Sequence, residues 1–221
     1  MICVSIIEQD IKKCISILQK CEMAELRLDK IKPEPNEIKK LLMFEIPLIA
    51  TCRTGIYNDD ERLKLLTVAA KNGATYIDIE LESDENYRKK LIDVARSFNR
   101  KIIISYHNFN ETPDIDILKN IISQAGIFNP DFIKIVTRAQ KIDDISIILS
   151  LYETEKRLIA FSMGELGKKT RIKSLELGAP FIYAACEEGR QSAEGQMTVE
   201  ELNKILNNEK ICTCRETGIT Q

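Results

Sequence analysis

Short apolar runs alternate with longer stretches of mixed apolar and polar residues along the whole chain. A new pair of segments begins roughly every 25 residues, the spacing expected of repeated strand–helix units. Two of the longer stretches, residues 59–72 and 114–126, repeat apolar residues with the helical period. The predicted strands are Ile2 to Ile7, Met23 to Asp29, Pro47 to Arg53, Tyr76 to Leu81, Lys101 to Phe109, Phe132 to Arg138, Arg157 to Gly164, and Pro180 to Cys186.

Alternating strands and helices predict a parallel sheet, and eight units in about 200 residues fit a closed (β/α)8 TIM barrel. An open doubly wound sheet is the alternative. That fold usually carries a glycine-rich phosphate turn after its first strand, whereas this chain has Glu8, Gln9 and Asp10 there. We therefore predict one α/β barrel domain over residues 1–207, followed by a poorly ordered C-terminal tail over residues 208–221.

Several predicted strands carry polar residues at alternate positions, although strands covered on both faces are normally apolar throughout. Such polar faces on neighbouring strands would line the inside of the barrel. They form either an active site or a network of ion pairs that supports the barrel, and the desolvation cost at each position favours an active site. The polar residues in this register are Glu25, Arg27, Asp29, Thr51, Arg53, Asp78, Glu80, Ser105, His107 and Lys134.

Lys134 and His107 suggest the chemistry of this inner face. Burial among isoleucines lowers the pKa of a lysine, and an uncharged amine attacks carbonyl groups. His107, the single histidine of the chain, lies one strand earlier and is able to move protons near neutral pH. Either residue alone is compatible with an ordinary structural role, but the pair suggests Schiff-base chemistry.

Two loops follow the last two predicted strands. Gly164 to Arg171 resembles a phosphate-binding loop but lacks the spacing of one, so Arg171 is either a carboxylate ligand or part of a solvated helix start. Residues 187–196 are polar and contain glycine, which is typical of a mobile lid and also of an ordinary surface loop.

Composition narrows the functional classes. The chain has 221 residues, 44% hydrophobic and 30% charged, with a net charge of −2. These values predict a globular protein without the basic field that attracts nucleic acid. Because no apolar run reaches the length of about 20 residues that spans a membrane, and the N-terminus lacks a basic leader, we expect a cytoplasmic protein that does not bind membranes.

The cysteine pattern agrees with a reducing compartment. The chain has seven cysteines, an odd number, and most are scattered through apolar segments as expected of free thiols. Cys212 and Cys214 lie in the polar tail as a C-x-C pair. Without a second pair or a nearby histidine, they predict a zinc site only weakly.

Taken in order, these segments resemble the type I 3-dehydroquinate dehydratase family. No single motif is decisive, but the ordered set is specific and extends from residue 2 to about residue 206. The matching segments are Glu25 to Asp29, Thr51 to Arg53, Asp78 to Glu80, Ser105 to Phe109, Lys134, Ser162 to Gly164, Arg171, and Ser192 to Gln196.

The resemblance implies a (β/α)8 barrel that dehydrates 3-dehydroquinate to 3-dehydroshikimate in the shikimate pathway of aromatic amino acid biosynthesis. It implies no metal or cofactor, and a homodimer. Lys134 would form an imine with the substrate ketone, and His107 would transfer the protons. The remaining implied residues are Arg171, Ser192 and Gln196 for the carboxylate and the lid, Glu25, Arg27 and Arg53 for the ring hydroxyls and the charge near the imine, and Asp78, Glu80 and Met163 in support.

The chain departs from the family pattern in two places. Tyr57 stands where the family commonly has a glutamate that contacts the catalytic histidine, so the sequence does not show what orients His107. The chain starts at the first barrel strand, and we therefore expect no N-terminal hairpin across the barrel floor. Two other functions stay open at this point: a Schiff-base class I aldolase on a TIM barrel, and a non-catalytic ligand-binding barrel.

Overall fold

Eight parallel strands form a nearly closed barrel in this computed structural model, which describes the backbone of residues 1–216 and the side chains up to residue 207. From β1 to β7 each strand pairs with the next one along the chain, and β8 pairs with β1. The predicted (β/α)8 barrel is confirmed. The strands are β1 (Ile2–Ile6), β2 (Ala24–Arg27), β3 (Leu48–Thr51), β4 (Tyr76–Glu80), β5 (Lys101–Asn108), β6 (Phe132–Arg138), β7 (Leu158–Met163) and β8 (Ile182–Ala185).

The helices lie between the strands and cover the outside of the barrel, with caps at several helix starts. Asn58 accepts a hydrogen bond from the backbone N–H of Glu61, and the Glu61 carboxylate accepts one from the backbone N–H of Asn58. This capping box starts the fourth helix. The helices are α1 (Ile11–Leu18), α2 (Leu28–Ile31), α3 (Pro35–Leu41), α4 (Asp59–Lys71), α5 (Glu85–Ser97), α6 (Ile115–Gly126), α7 (Ile142–Ser150), α8 (Gly164–Glu176) and α9 (Val199–Glu216), with a 3-10 turn at Leu151–Glu153.

Alternate residues of each strand face outward into the main core and inward into the barrel. In β4, for example, Ile77 and Ile79 belong to the outer core, while Tyr76 belongs to the cluster inside the barrel. The N-terminal ends of the strands contribute bulky apolar side chains that fill the barrel floor. The ring centroids of Tyr76 and Phe132 lie 5.9 Å apart, and those of Phe132 and Phe181 lie 6.1 Å apart. The inside of the barrel is therefore packed at this end, and the space for a ligand lies at the other.

The sheet has a seam between β7 and β8, which stand at its two edges in the strand order. Phe161 of β7 and Tyr183 of β8 face each other across this seam, with ring centroids 6.3 Å apart. The last residue of β8 also pairs with the segment before α9, because the backbone N–H of Ala185 donates to the carbonyl of Met197.

The end of one strand differs from the sequence-based expectation. The strand predicted to reach Asp29 ends at Arg27, where the chain turns into α2, so Asp29 does not share the strand register. Helix α9 is continuous across the predicted domain boundary at residue 207 and runs to Glu216. The division at residue 207 stays a prediction, and residues 217–221 and the side chains of Cys212 and Cys214 lie outside the described residues. Within residues 1–216, no helix is long and apolar enough to cross a bilayer.

Candidate active site

A cavity of about 370 Å³ opens at the C-terminal end of the barrel, the end at which barrel enzymes place their active sites. Of the site residues predicted from the sequence, Asp78 alone does not line this cavity; it is buried beneath it. The predicted residues that line the cavity are Glu25, Arg27, Arg53, Glu80, His107, Lys134, Met163, Arg171, Ser192 and Gln196.

Lys134 projects from β6 into the cavity and is 5% exposed. Its Nζ lies 3.6 Å from Oδ2 of Asp78 and 4.0 Å from the centroid of the Tyr183 ring. Burial lowers the pKa of Lys134 below its ordinary value, although the charges of Asp78 and Glu25 act in the opposite direction. The amine is therefore easier to deprotonate than that of an exposed lysine. When it is protonated, the carboxylate of Asp78 is the counterion of the ammonium group.

Asp78 on β4 is the common partner of this part of the site. Its Oδ2 accepts a hydrogen bond from Nη2 of Arg53 at 2.8 Å, and its Oδ1 accepts one from Oγ of Ser105 at 2.6 Å. Burial acts to raise the pKa of Asp78, but the charges of Arg53 and Lys134 outweigh it and hold the pKa below its ordinary value. Asp78 is therefore ionised at neutral pH and places a negative charge beside the amine of Lys134.

Glu25 on β2 connects the cavity wall to the segment after β8. Its two carboxylate oxygens accept hydrogen bonds from Ser5 and Thr51, each at 2.8 Å. The side-chain amide of Gln196 donates to Oγ of the same Ser5 at 3.3 Å, and the amide oxygen of Gln196 accepts from the backbone N–H of Ser192 at 2.7 Å. The predicted lid residues thus reach the inner wall of the barrel.

His107, the second-to-last residue of β5, lies on the cavity wall next to the aromatic ring of Phe109. The two rings are stacked, with centroids 5.9 Å apart and planes 13° apart. Burial lowers the pKa of His107 well below 6.5, and the charges of Arg53, Lys134 and Arg27 lower it further. The imidazole is therefore neutral at neutral pH and is available as a base.

Tyr57, at the position of the family glutamate, does not reach the cavity. It is half-buried and packs against the outer core, next to the loop that leads into the capped start of α4. Among the described residues, the imidazole of His107 has no carboxylate as hydrogen-bond partner. The ring of Phe109, which stacks on the imidazole, is itself 63% exposed.

Arg62 on α4 is a site-supporting residue that the sequence analysis missed. Its Nη2 lies 2.6 Å from Oε2 of Glu80, and its Nε donates to the carbonyl of Cys52 at 2.9 Å. The other carboxylate oxygen of Glu80 lies 3.8 Å from Nη1 of Arg53. Arg62 shares the buried face of its helix with Leu66, Ala69 and Ala70, and an arginine in that helical register was the available signal.

Arg27 is already held by a carboxylate in this structure. Its Nε and Nη2 donate to the two oxygens of Asp29 at 2.9 and 2.6 Å, a bidentate pair on the rim of the cavity. Asp29 thus supports the site although it lies outside the strand.

Arg171 is 2% exposed, so of its two alternative interpretations the solvated helix start is wrong. Its Nε and Nη2 have no hydrogen-bond partner within the described part of the chain, and its guanidinium lies 4.3 Å above the centroid of the Phe161 ring. Burial lowers the pKa of Arg171 to about 10. A buried guanidinium with free donors is suited to binding an anion.

Close packing of α8 against β7 places Arg171 in this position. A Cβ at Gly167 would lie 2.5 Å from the backbone oxygen of Ser162, so only glycine permits this approach. Thr170 accepts a hydrogen bond from the backbone N–H of Ser162 at 2.9 Å. The glycine that suggested a phosphate loop in the sequence therefore serves helix packing.

The segment after β8 covers one side of the cavity and is attached at two points to other loops. Arg190 lies 3.1 Å from Glu8, and Glu194 lies 2.7 Å from Arg138 at the end of β6. Gly195 has a φ of +72°, and a side chain there would meet the backbone of Gly164. Arg190 is not among the residues lining the cavity, which leaves Arg171 as the anion-binding candidate on this side.

Chemically, the cavity combines a buried amine, a neutral imidazole and an unpaired guanidinium. This set suits a substrate with a carbonyl group and an anionic group. Within residues 1–207, no group of three or more His, Cys, Asp or Glu side chains is arranged to hold a metal ion.

The comparisons with known proteins agree with one another. The family model described as type I 3-dehydroquinase matches residues 2–212. A 3-dehydroquinate dehydratase of Pyrococcus abyssi is 33% identical over 214 residues, covering 93% of this chain and 97% of that protein. One of Methanococcus maripaludis is 34% identical over 218 residues, covering 93% of this chain and 98% of that protein.

Solved structures show the same likeness. The 3-dehydroquinate dehydratase of Aquifex aeolicus superposes with a TM-score of 0.81 at 25% identity, covering 94% of this chain and 98% of that chain. A type I 3-dehydroquinate dehydratase of Clostridium difficile, determined with covalently modified comenic acid, has a TM-score of 0.82 at 24% identity, covering 93% of this chain and 91% of that one.

Proposed function

Because the chain belongs to the type I 3-dehydroquinase family, we infer that it is a hydro-lyase that converts 3-dehydroquinate to 3-dehydroshikimate, a step of the shikimate pathway. One observation supports this activity most strongly. The buried amine of Lys134, with Asp78 3.6 Å from its Nζ, shares a cavity with His107 and with the unpaired guanidinium of Arg171. The substrate has a ketone for the amine and a carboxylate for the guanidinium.

We propose that the reaction begins with attack of the Lys134 amine on the C3 ketone. Loss of one water gives an iminium ion between the lysine nitrogen and C3. This cation lies where the ammonium would lie, beside Asp78, so the same carboxylate stabilises both forms. No external cofactor enters this step.

His107 then takes the proton from C2, and the electron pair of that bond moves toward the iminium nitrogen to give an enamine. The enamine expels the C1 hydroxyl, which leaves as water with the proton that His107 returns. One further water hydrolyses the resulting iminium ion, which frees Lys134 and releases 3-dehydroshikimate. The net change is the loss of one water from the substrate.

The other cavity residues hold the substrate in this scheme. Arg171 binds the carboxylate with its free donors, and Ser192 and Gln196 close over it from the lid. Glu25, Arg27 and Arg53 contact the ring hydroxyls. Asp78, Glu80 and Met163 support them: Asp78 and Glu80 fix Arg53, and Met163 is buried against the cavity.

We further propose a cytoplasmic homodimer that acts on this small molecule and binds neither nucleic acid nor membranes. The family resemblance supports the dimer, and the free cysteines among the described residues support a reducing compartment. Sedimentation of the purified protein measures the oligomeric state.

Ultraviolet absorbance on mixing with 3-dehydroquinate tests the activity, because the conjugated enone of the product absorbs and the substrate barely does. We expect a rise in absorbance, and we expect sodium borohydride to trap one substrate-derived group on the protein. Binding of 3-dehydroquinate without any rise would indicate a non-catalytic barrel. Trapping of other carbonyl compounds with cleavage of a carbon–carbon bond would indicate an aldolase.

A further inference from the structure

Two aromatic rings face each other across the seam between β7 and β8, and each contacts a cationic side chain of the cavity. The guanidinium of Arg171 lies 4.3 Å above the centroid of Phe161, and Nζ of Lys134 lies 4.0 Å from the centroid of Tyr183. The two ring centroids are 6.3 Å apart. Arg171, Phe161, Tyr183 and Lys134 therefore form one continuous row of contacts along the cavity wall.

The rings have little freedom to move. Both are 3% exposed, and Tyr183 is also packed edge-on against Phe181, with centroids 5.5 Å apart and planes 74° apart. Side chains in a close-packed interior stay in one rotamer because the neighbouring volume is filled. A cation that rests on either ring is thus held at a defined place relative to the barrel.

The contact matters most for Arg171, because its Nε and Nη2 have no hydrogen-bond partner among the described residues. The negative face of an aromatic ring attracts a cation, and the attraction is strongest where water is excluded. Lys134 has Asp78 on one side and the ring of Tyr183 on another. The ring face is equally suited to the ammonium and to an iminium ion.

We propose that Phe161 and Tyr183 are a pair of positioning residues that set the separation between the imine-forming amine and the carboxylate-binding guanidinium. Tyr183 in addition stabilises the iminium ion through its ring face. The pair thereby selects substrates whose ketone and carboxylate match this separation. This inference rests on the roles of Lys134 and Arg171 in the proposed function.

The first test replaces the ring at position 183. Tyr183→Phe keeps the ring face and removes a hydroxyl that has no partner among the described residues, so it is the reference against which the other variants at position 183 are compared. Tyr183→Leu removes the ring face and should lower kcat roughly tenfold, the size of a desolvated cation–π contact. Fluorinated phenylalanines at position 183 weaken the ring face at nearly constant volume, and kcat should fall stepwise with each added fluorine.

A second readout at position 183 needs no substrate. Reductive methylation of Lys134 by formaldehyde and cyanoborohydride, followed by mass spectrometry of its peptide, reports the fraction of free amine at each pH. Since the ring stabilises the ammonium form, the midpoint for Tyr183→Leu should lie about one pH unit below that of the unchanged protein. An unchanged midpoint in the Leu and fluorinated variants would overturn the role of Tyr183.

The matching test at position 161 should affect substrate binding instead. Phe161→Leu frees Arg171 from its ring, so KM should rise roughly tenfold while kcat changes less. Fluorinated phenylalanines at position 161 should raise KM stepwise. If the variants at both positions lowered kcat equally, and the Phe161 variants did not raise KM, the two rings would serve packing alone.

Tyr76→Leu is the matched control, because Tyr76 lies in the same aromatic cluster but on the barrel floor, outside the cavity. It should lower stability without changing the methylation midpoint of Lys134. If Lys134→Ala still gave the borohydride adduct, the proposed Schiff base would fail, whereas the methylation midpoints would still decide the ring contact. The two ideas are therefore separable.

Discussion

On the side of the cavity built by β2 to β6, the positive groups already have carboxylates beside them. Arg27 is bidentate to Asp29, and Asp78 serves both Arg53 and Lys134. On the side built by β7, α8 and the segment after β8, Arg171 is more deeply buried than Arg27 and Arg53, and it contacts an aromatic ring in place of a carboxylate.

This difference indicates where the substrate supplies charge and where it does not. A buried cation without a counterion is costly, and an incoming carboxylate removes that cost on binding. Beside Lys134 the counterion Asp78 belongs to the protein. In the proposed mechanism the positive charge of the iminium ion develops there and is stabilised without help from the substrate. We therefore expect changes on the β2–β6 side to affect turnover and changes at Arg171 to affect binding.

The largest effect is expected for Lys134→Ala. Without the amine no imine forms, so borohydride should trap no substrate on the protein and turnover should fall by more than roughly 10⁴-fold. Lys101→Ala is the control, since Lys101 also lies over a tyrosine ring, at 5.5 Å from Tyr76, but outside the cavity. Unchanged trapping in Lys134→Ala would move the Schiff base to another lysine.

His107→Ala should lower kcat roughly 10²- to 10⁴-fold, the usual contribution of a positioned proton-transfer group. Imine formation does not need the same proton transfer, so the borohydride adduct should still appear. The chain has no second histidine to take over the role. Near-normal turnover in this variant would refute the assignment of His107.

Much of the fold and of the β2–β6 side was predictable, because a strand alternates its faces with a strict period of two. Glu25, Asp78 and Lys134 stood out as polar residues in otherwise apolar strands, and that register placed them on the inner face of the barrel. This period applies only within a strand, which is why Asp29 in α2 was placed wrongly in the strand register; the structure shows that it pairs with Arg27.

The side built by β7, α8 and the segment after β8 was less predictable, because its function depends on contacts between elements that are distant in the sequence. Phe161 and Tyr183 are apolar residues in apolar strands, so nothing in the sequence separates them from ordinary core. That each ring carries a cation depends on the seam and on the close approach of α8. The burial of Arg171, likewise, follows from helix packing and not from its basic neighbours in the chain.

The substitution Arg171→Met removes the unpaired cation from the cavity and tests whether the two sides of the cavity differ. KM should rise roughly 10²-fold, because a buried charged contact to the carboxylate is lost. The free energy of unfolding should stay the same or rise by about 1 kcal/mol, since an unpaired buried charge is replaced by an apolar side chain. Steady-state kinetics and chemical denaturation measure the two quantities.

The same substitution on the other side, Arg53→Met, is the matched comparison. It leaves Asp78 without its closest ion-pair partner, so the free energy of unfolding should fall by roughly 3 kcal/mol. If Arg171→Met destabilised the protein as strongly as Arg53→Met, Arg171 would have a stabilising ion-pair partner in the free protein, and the two sides of the cavity would not differ in their pairing of charges.

The pH dependence should reflect the cations around His107. Burial and the charges of Arg53, Lys134 and Arg27 disfavour the imidazolium, so the pKa of His107 is lowered and the neutral base persists to lower pH. The single histidine gives one imidazole C2–H resonance, and its titration midpoint should lie well below 6.5. A midpoint at or above 6.5 would show that a carboxylate reaches the ring after all.

The smallest effect is expected in the motion of the segment after β8, which we predict to be a lid that orders when the carboxylate meets Arg171. Its contacts with the rest of the barrel include the ion pairs Arg190–Glu8 and Arg138–Glu194, whose arginine side chains are 40% and 39% exposed. Exposed ion pairs contribute little stability. In the free protein, amide hydrogens of residues 188–195 should therefore exchange faster than those of the barrel strands.

Ligand should slow this exchange, because Gln196 and Ser192 then gain a partner in addition to Ser5 and each other. Residues 54–57 provide the control, since this loop borders the β2–β6 side, where the charges are already paired, and its exchange should change less. Equal protection of residues 188–195 with and without ligand would leave an ordinary surface loop. In that case the difference between the two sides of the cavity would be one of charge alone and not of motion.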